Sequence, residues 1–440
     1  MSKLFCTDYY QLSMVSAYML CDRANDIAGF EAFVRKINPL TNIYGTHYEI
    51  DNNAYHSVTQ FIYQIKYELE TKKEELFNLF WAIIKKDLEN GENLRSQWMD
   101  LDIEFEFNLL EPNSVIKPYM PIFQYKGPRW LGQLLETPIL LLLNSQIGLN
   151  TFKKFGDDDL GSTLYHKLTA IVYPMGNSTY QHYLETVKQK LNKYRRILPT
   201  EILLLEAGFR RAPSYKAAVD VAKNAILCGW NGTSNVGAYV DGGLAIEKIG
   251  GSCAHSYVMS FEDEMEAFKT WMKIFPNSTL LIDTYDTLQA AKNLVKEGLK
   301  PKCIRIDSEP LDELTKEVRT IFDNADWKEV QIFISGDLTP KRLKKFVEQG
   351  IPFNRCMAGT KLVNIDGAER INAGMVYKLV EYEKNGHIYR PQKYSQGKES
   401  IGGLKKIVTD ESSYWFVNGK KFSENFAEVE NIKPTMEKRS

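Results

Sequence analysis

Short β-rich runs alternate with amphipathic helical patterns between residues 200 and 365, and this predicts an α/β fold built on parallel strands. Three observations carry the prediction. The runs "STLLIDTYDT", "KCIRIDSEP", "EVQIFISGDL" and "FNRCMAGTKLV" are too apolar for strands with a wet face. A single helical pattern follows each of the first three, and parallel neighbours need such a crossover. Polar residues collect where the strands end, at Asp283, Asp307, Asp337 and Thr360. A barrel and an open sheet both satisfy this pattern, and both place ligands at the carboxyl ends of the strands.

The elements follow in chain order. The first 135 residues mix aromatic strands such as "DIEFEFNLL" with a charged helical stretch around residues 60 to 90. A domain boundary is expected near 136, with 136–361 as the α/β domain and 362–440 as a tail of short strands and Lys/Gly loops. "EILLLEAGFRRAPSY" reads as a strand with charge at its end, leading into a helix at roughly 214 to 229 and a turn, "NGTSN". Residues 262 to 275 form the helix after "GGSCAHSYVMSF", with Ser260 and Asp263 as a capping pair and Met265, Phe268, Met272 and Phe275 inward. Leu288, Ala291, Leu294 and Val295 recur at helical spacing, as do Leu311, Leu314, Val318, Ile321 and Phe322. Thr339-Pro340 is an N-cap followed by a first-turn proline, ahead of Leu343, Phe346 and Val347. No internal repeat exceeds the βα period.

Composition excludes several function classes. The 55 basic and 56 acidic residues of this 440-residue chain nearly cancel and are interspersed, so no basic field awaits nucleic acid or a membrane surface. Only Lys393, Lys398, Lys405 and Lys406 cluster, as a solvated loop or an anion contact. Six cysteines lack CxxC or CxxH spacing, which argues against zinc and disulfides and reads as reduced thiols in a cytoplasmic protein. The apolar run "TPILLLLN" is far short of the roughly 20 residues that span a bilayer, and the N-terminus lacks the order of a signal peptide.

A site fed by Arg210, Arg211, His255, Asp283, Arg305, Asp307 and Asp337 mixes cations with carboxylates. Cations clamp phosphates, carboxylates hold Mg²⁺, and Gly/Thr turns offer backbone donors, so the substrate reads as a magnesium-bound polyphosphate. Helix capping is the competing reading for each strand-end aspartate taken alone.

The segments "TDYYQLSM", "FEAFVRKINP", "LLETPILLLLNSQIGLNT", "GFRRAP", "NGTSNV", "AHSYVMSF", "FPNSTLLIDTYDT", "IRIDS", "SGDLTPKRL", "AGTKLV" and "GMVYKLVE" occur in one order. In that order they resemble the nicotinate phosphoribosyltransferase family. The resemblance implies the irregular α/β barrel of the type II phosphoribosyltransferases, flanked by a mixed α+β domain built from both chain ends. It also implies a homodimer with shared active sites. The implied reaction joins nicotinate to phosphoribosyl pyrophosphate with Mg²⁺, in NAD salvage, and is coupled to ATP through a phosphohistidine.

The resemblance carries roles to matching positions. His255 is the implied phosphorylated residue, and Tyr10 would stack on the pyridine ring from the partner subunit. Arg305 would meet the nicotinate carboxylate or pyrophosphate, and Ser252 the ring carboxylate. Asp307 would lie near ribose or Mg²⁺, with Asp283 as a second metal carboxylate. Gly336, Gly359 and Thr360 would offer donors to the 5′-phosphate and Arg210 would reach pyrophosphate, with Arg211 and Asp337 as further substrate-binding residues; a salt-bridged structural role is the competing reading for both arginines. Ser234 stands where nicotinamide-using relatives carry aspartate, and a neutral residue there admits a carboxylate substrate.

Three departures bear on specificity. Ala207 stands where the family has an aromatic, "DSEPL" replaces DSGDL and brings Glu309 toward the phosphate region, and "GSCAH" replaces GTMAH. The alternatives are therefore a same-fold enzyme acting on nicotinamide or another nitrogen heterocycle, and a non-catalytic nucleotide- or partner-binding homologue. An aldolase-like barrel would need a lysine inside a strand, whereas Lys361 lies at a strand edge and is expected to be solvated.

Overall fold

The computed structural model describes residues 2–35, 48–154, 159–174, 176–364, 373–392, 400–408, 414–417 and 420–422. Six strands form one all-parallel sheet in the order Gly232–Thr233, Leu203–Glu206, Arg355–Ala358, Gln331–Ile334, Cys303–Ile306, Thr279–Leu281. The first and last of these do not pair, so the sheet is an open half-barrel. Helices return the chain between them as the periodicity requires. Leu311–Asn324 buries Leu311, Thr315, Val318 and Phe322. Pro340–Glu348 buries Leu343 and Phe346, and the Thr339 side chain accepts from the Arg342 amide as its N-cap. Full burial of each such apolar side chain contributes about 1.5–3 kcal/mol.

A second, antiparallel sheet has the order His387–Tyr389, Val376–Lys384, Ile27–Phe33, Phe123–Pro128, Glu106–Leu109. It therefore combines residues from the two ends of the chain. The helix Tyr9–Leu20, packed against the helix Arg129–Leu134 and tied to the end of the parallel sheet by Tyr9 N to Ser234 O, is buried on nearly every face. One contiguous apolar core runs through both sheets and includes Trp98, Trp130 and Trp271. All six cysteines are unpaired. Among the described residues no helix is long and apolar enough to cross a membrane.

Three local expectations are corrected. The helical stretch around 60 to 90 is two helices, Asn52–Thr71 and Lys73–Ile84, broken at Lys72, whose φ of −133° leaves the helical region. The helix after the histidine starts at Glu264 and is capped by Asp263 alone; Ser260 closes the preceding helix and donates to Tyr257 O. Lys405 is neither solvated nor an anion contact, because it is buried against the Glu31 carboxylate, which also accepts from the Lys405 amide and from Gln124. Lys393 and Lys398 lie outside the described residues.

The Glu31–Lys405 pair joins the C-terminal segment to the flanking sheet. Removing one member of a buried ion pair leaves the other charge without compensation, at a cost of about 3–5 kcal/mol. Lys405→Met is expected to lower the urea midpoint correspondingly, and an unchanged midpoint would show the pair to be energetically idle.

Candidate active site

The polar strand ends open into a cavity of about 380 Å³. It is lined by Tyr10, Arg210, Arg211, Ser234, Ser252, His255, Arg305, Asp307, Gly336, Asp337, Gly359 and Thr360, which brings together all but one of the site residues expected from the sequence. The exception, Asp283, is buried directly behind Asp307.

The carboxylates are held by the chain itself. Asp283 Oδ2 accepts from the Asp307 amide at 2.8 Å and from Ser308 Oγ at 2.7 Å, while its Oδ1 is buried with no hydrogen-bond partner. Asp307 Oδ1 accepts from Ser335 Oγ at 2.8 Å, and Oδ2 lies 3.9 Å from His255 Nε2. His255 is the first residue of the short helix His255–Met259, and its Nδ1 is 3.1 Å from Thr284 Oγ1. One ligand atom each of His255, Asp283 and Asp307 falls within 4.8 Å of the others. An orphaned buried carboxylate oxygen beside a second carboxylate suits a hard divalent cation such as Mg²⁺, with the aspartates as its protein ligands.

Arg305, from the strand Cys303–Ile306, donates to Ser252 Oγ at 2.9 Å and to Cys253 O at 3.1 Å. This fixes its guanidinium at the cavity wall. Two glycines let backbone come close: a Cβ at Gly359 would lie 2.4 Å from Ala207 O, and Gly336 has φ +104° beside Asp307 O. Those loops carry Asp337 and Thr360 into the cavity.

Two expectations change, at Ser234 and Glu309, and the structure places Tyr10 and Lys361. Tyr10 enters the cavity of its own chain, since its helix is tied there by Tyr9 N to Ser234 O at 2.7 Å and Ser13 Oγ to Ser252 O at 2.9 Å. Ser234 does not leave a carboxylate-free wall: its hydroxyl donates to Asp8 Oδ1 at 2.5 Å, so Asp8 stands where an acidic residue was thought absent. Glu309 is not a lining residue; both its oxygens are 2.7 Å from Arg342 guanidinium nitrogens, so its charge is answered away from the cavity. Lys361 is exposed, as expected, and also borders the cavity. No strand of the parallel sheet contains a lysine, which removes the aldolase reading.

Arg210 donates to Glu136 Oε1 at 2.6 Å and to Tyr10 OH at 3.2 Å, and Arg211 donates to Met375 O at 2.5 Å. Burial, reinforced by the neighbouring Arg210 charge, pushes Arg211 down to about 9. Asp8, Glu136 and Glu206 were not singled out from the sequence, although Asp8 and Glu136 sit inside the segments "TDYYQLSM" and "LLETPIL". Burial raises Asp8 to about 6 against the opposing hydrogen bonds from Ser234 and Thr137. It raises Glu206 to about 7 against those from Thr233 and the Gly208 amide.

The Glu206 shift has a definite sign. Between about pH 4.5 and 7 the folded chain keeps a proton that the unfolded chain has released, so this group's stabilisation is full below 4.5 and fades as pH rises through 7. Glu206→Gln is expected to flatten the thermal midpoint against pH across that window, by an amount equivalent to roughly 3 kcal/mol. An unaltered profile would mean that Glu206 titrates normally.

No protein-family model matches the chain. Over 214 residues it is 33% identical to "Nicotinate phosphoribosyltransferase pncB2" of Mycobacterium tuberculosis, covering 46% of this chain and 43% of the relative. Over 235 residues it is 31% identical to the nicotinate phosphoribosyltransferase of Bacillus subtilis, covering 51% and 47%. Those alignments thus span less than half of the relatives' lengths. A longer alignment, 24% identical over 470 residues, covers 91% of this chain and 72% of the Caenorhabditis elegans nicotinate phosphoribosyltransferase. In fold the chain is similar to the crystal structure of nicotinate phosphoribosyltransferase from Porphyromonas gingivalis, with TM-score 0.64 at 17% identity over 91% of this chain and 96% of the other. In sequence over about half of its length, and in fold, the chain is similar to nicotinate phosphoribosyltransferases. The Vibrio cholerae nicotinate phosphoribosyltransferase shares the fold too, at TM-score 0.63 and 16% identity over 91% and 90%. The half-barrel and the flanking sheet built from both chain ends are thus the fold that this chain shares with those solved structures.

Proposed function

We propose that the chain transfers the phosphoribosyl group of phosphoribosyl pyrophosphate to nicotinate, giving nicotinate mononucleotide and pyrophosphate, and that ATP is spent through phosphorylation of His255. The observation that carries this reading is the meeting of Arg305–Ser252, His255 and Asp307 in one cavity between two glycine loops, with Asp283 directly behind Asp307.

The pyridine nitrogen is already a free nucleophile at neutral pH, so the protein positions rather than deprotonates. Arg305 and Ser252 hold the ring carboxylate, and Tyr10 packs on the ring. The loops at Gly336–Asp337 and Gly359–Thr360 receive the 5′-phosphate. As the C1′–oxygen bond loosens, negative charge grows on the leaving pyrophosphate, and Arg210 and Arg211 stabilise it. Asp283 and Asp307 are the residues that would hold Mg²⁺, which when bound neutralises phosphate charge. One imidazole nitrogen of His255 attacks the γ-phosphorus of ATP, the bond to the β–γ bridging oxygen breaks, and ADP leaves. Water later hydrolyses the phosphohistidine to phosphate. A homodimer with shared sites belongs to this proposal by analogy with the family.

The buried Asp8 carboxylate beside Ser234 is the one observation that favours an amide substrate. The deciding assay measures mononucleotide from labelled nicotinate and, separately, nicotinamide, with phosphoribosyl pyrophosphate and Mg²⁺, each with and without ATP. Product from nicotinate, enhanced by ATP only when His255 is intact, is the expected result. Product from nicotinamide alone would transfer the assignment to the amide. Product from neither would sink both and leave a binding role.

A further inference from the structure

A run of buried polar side chains joins Arg210 to the helix that carries His255. Ser256 Oγ donates to Gln133 Oε1 at 2.9 Å, Gln133 Nε2 to Gln11 Oε1 at 2.6 Å, and Gln11 Nε2 to Glu136 Oε2 at 2.7 Å. Arg210 Nη1 meets the other oxygen of Glu136 at 2.6 Å. Gln11, Gln133 and Glu136 are 0%, 1% and 6% exposed, so these groups have protein partners or none.

The direction of every bond follows from Glu136. A carboxylate only accepts, so Gln11 must offer it the NH₂ end and turn its carbonyl to Gln133. Gln133 then presents its own NH₂ to Gln11 and its carbonyl to Ser256, whose hydroxyl is left to donate. Flipping Gln11 would create two buried mismatches and flipping Gln133 would set two carbonyl oxygens against each other, which makes the run a rigid connection. Its members come from the first helix (Gln11), the helix Arg129–Leu134 (Gln133), the start of the helix Glu136–Lys154 and the histidine helix.

We infer that Gln11 and Gln133 are positioning residues that hold Arg210 and the His255 helix in a single register. Loss of a bond at the Ser256 end is felt at Arg210, and the converse holds. The significance of Arg210 for phosphoribosyl pyrophosphate rests on the function proposed above; the connection itself does not.

Hydrogen–deuterium exchange on the ligand-free full chain tests the connection. Ser256→Ala deletes one hydroxyl on a partly exposed residue and should fold. It is expected to speed exchange in the peptide 252–260 and also in 207–213, by about threefold or more, and Ser256→Thr should restore both. In steady-state assays Ser256→Ala should raise KM for phosphoribosyl pyrophosphate about three- to tenfold. Gln133→Leu combined with Ser256→Ala should be no worse than Gln133→Leu alone, because both cut the same connection. Faster exchange confined to 252–260, or additive effects of the two substitutions, would overturn the inference. If phosphoribosyl transfer is not detected, the proposed function fails while the exchange comparison still decides this point.

Discussion

Arg305→Met is expected to lower kcat/KM for nicotinate by about 100-fold or more, mostly through KM. The guanidinium is fixed by two bonds, to Ser252 Oγ at 2.9 Å and Cys253 O at 3.1 Å, and its Nε is buried without a partner. A cation held this way meets a ligand carboxylate without reorganising first. Truncating one partner of a buried charge pair costs about 2–5 kcal/mol, and 1.4 kcal/mol is tenfold in affinity. Arg305→Lys should recover only part of the loss, because an ammonium lacks the planar fork that spans Ser252 and Cys253 at once. Steady-state kinetics with nicotinate and nicotinamide side by side supply the check. The preference for the acid should collapse in Arg305→Met while KM for phosphoribosyl pyrophosphate moves less. If instead only the latter KM rises, Arg305 belongs to the pyrophosphate and the ring carboxylate is held elsewhere.

The sequence reading succeeded where function depends on position along a strand. Asp283, Asp307 and Asp337 follow apolar runs in a βα pattern, so they had to arrive together at one edge of a parallel sheet. It failed where a side chain's direction depends on a partner distant in the chain. Ser234 looked like a neutral wall, but it is spent on Asp8, 226 residues away. Glu309 looked like a charge among phosphates, but Arg342, 33 residues on, turns it outward. Lys405 looked solvated until Glu31, 374 residues earlier, drew it into the interior. The break at Lys72 was also illegible, since neither glycine nor proline marks it and apolar spacing continues on both sides. Periodicity records which face of an element is buried, whereas pairing of polar groups is decided only when the elements pack.

Asp283→Asn and Asp307→Asn are expected to reduce kcat/KM by about 1,000-fold and to move the Mg²⁺ requirement to much higher concentration. Asp283 has two separate tasks. Through Oδ2 it fixes the Asp307 amide and Ser308, and its Oδ1, which has no hydrogen-bond partner among the described residues, leaves a carboxylate oxygen for a cation in the group it forms with His255 and Asp307. Asparagine can still accept from the Asp307 amide with its carbonyl, so the loop should keep its course. The atom then facing the cation site is an NH₂ group, which no divalent cation accepts as a ligand. Asp307→Asn keeps the bond from Ser335 Oγ in the same manner and removes the charge nearest His255 Nε2. Ser308→Ala deletes only a brace on Asp283 and should cost less than tenfold. The decisive readout is independent of turnover: Mg²⁺ with phosphoribosyl pyrophosphate should raise the thermal midpoint of the parent protein and fail to do so for either asparagine variant. Equal stabilisation of all three would place the cation elsewhere.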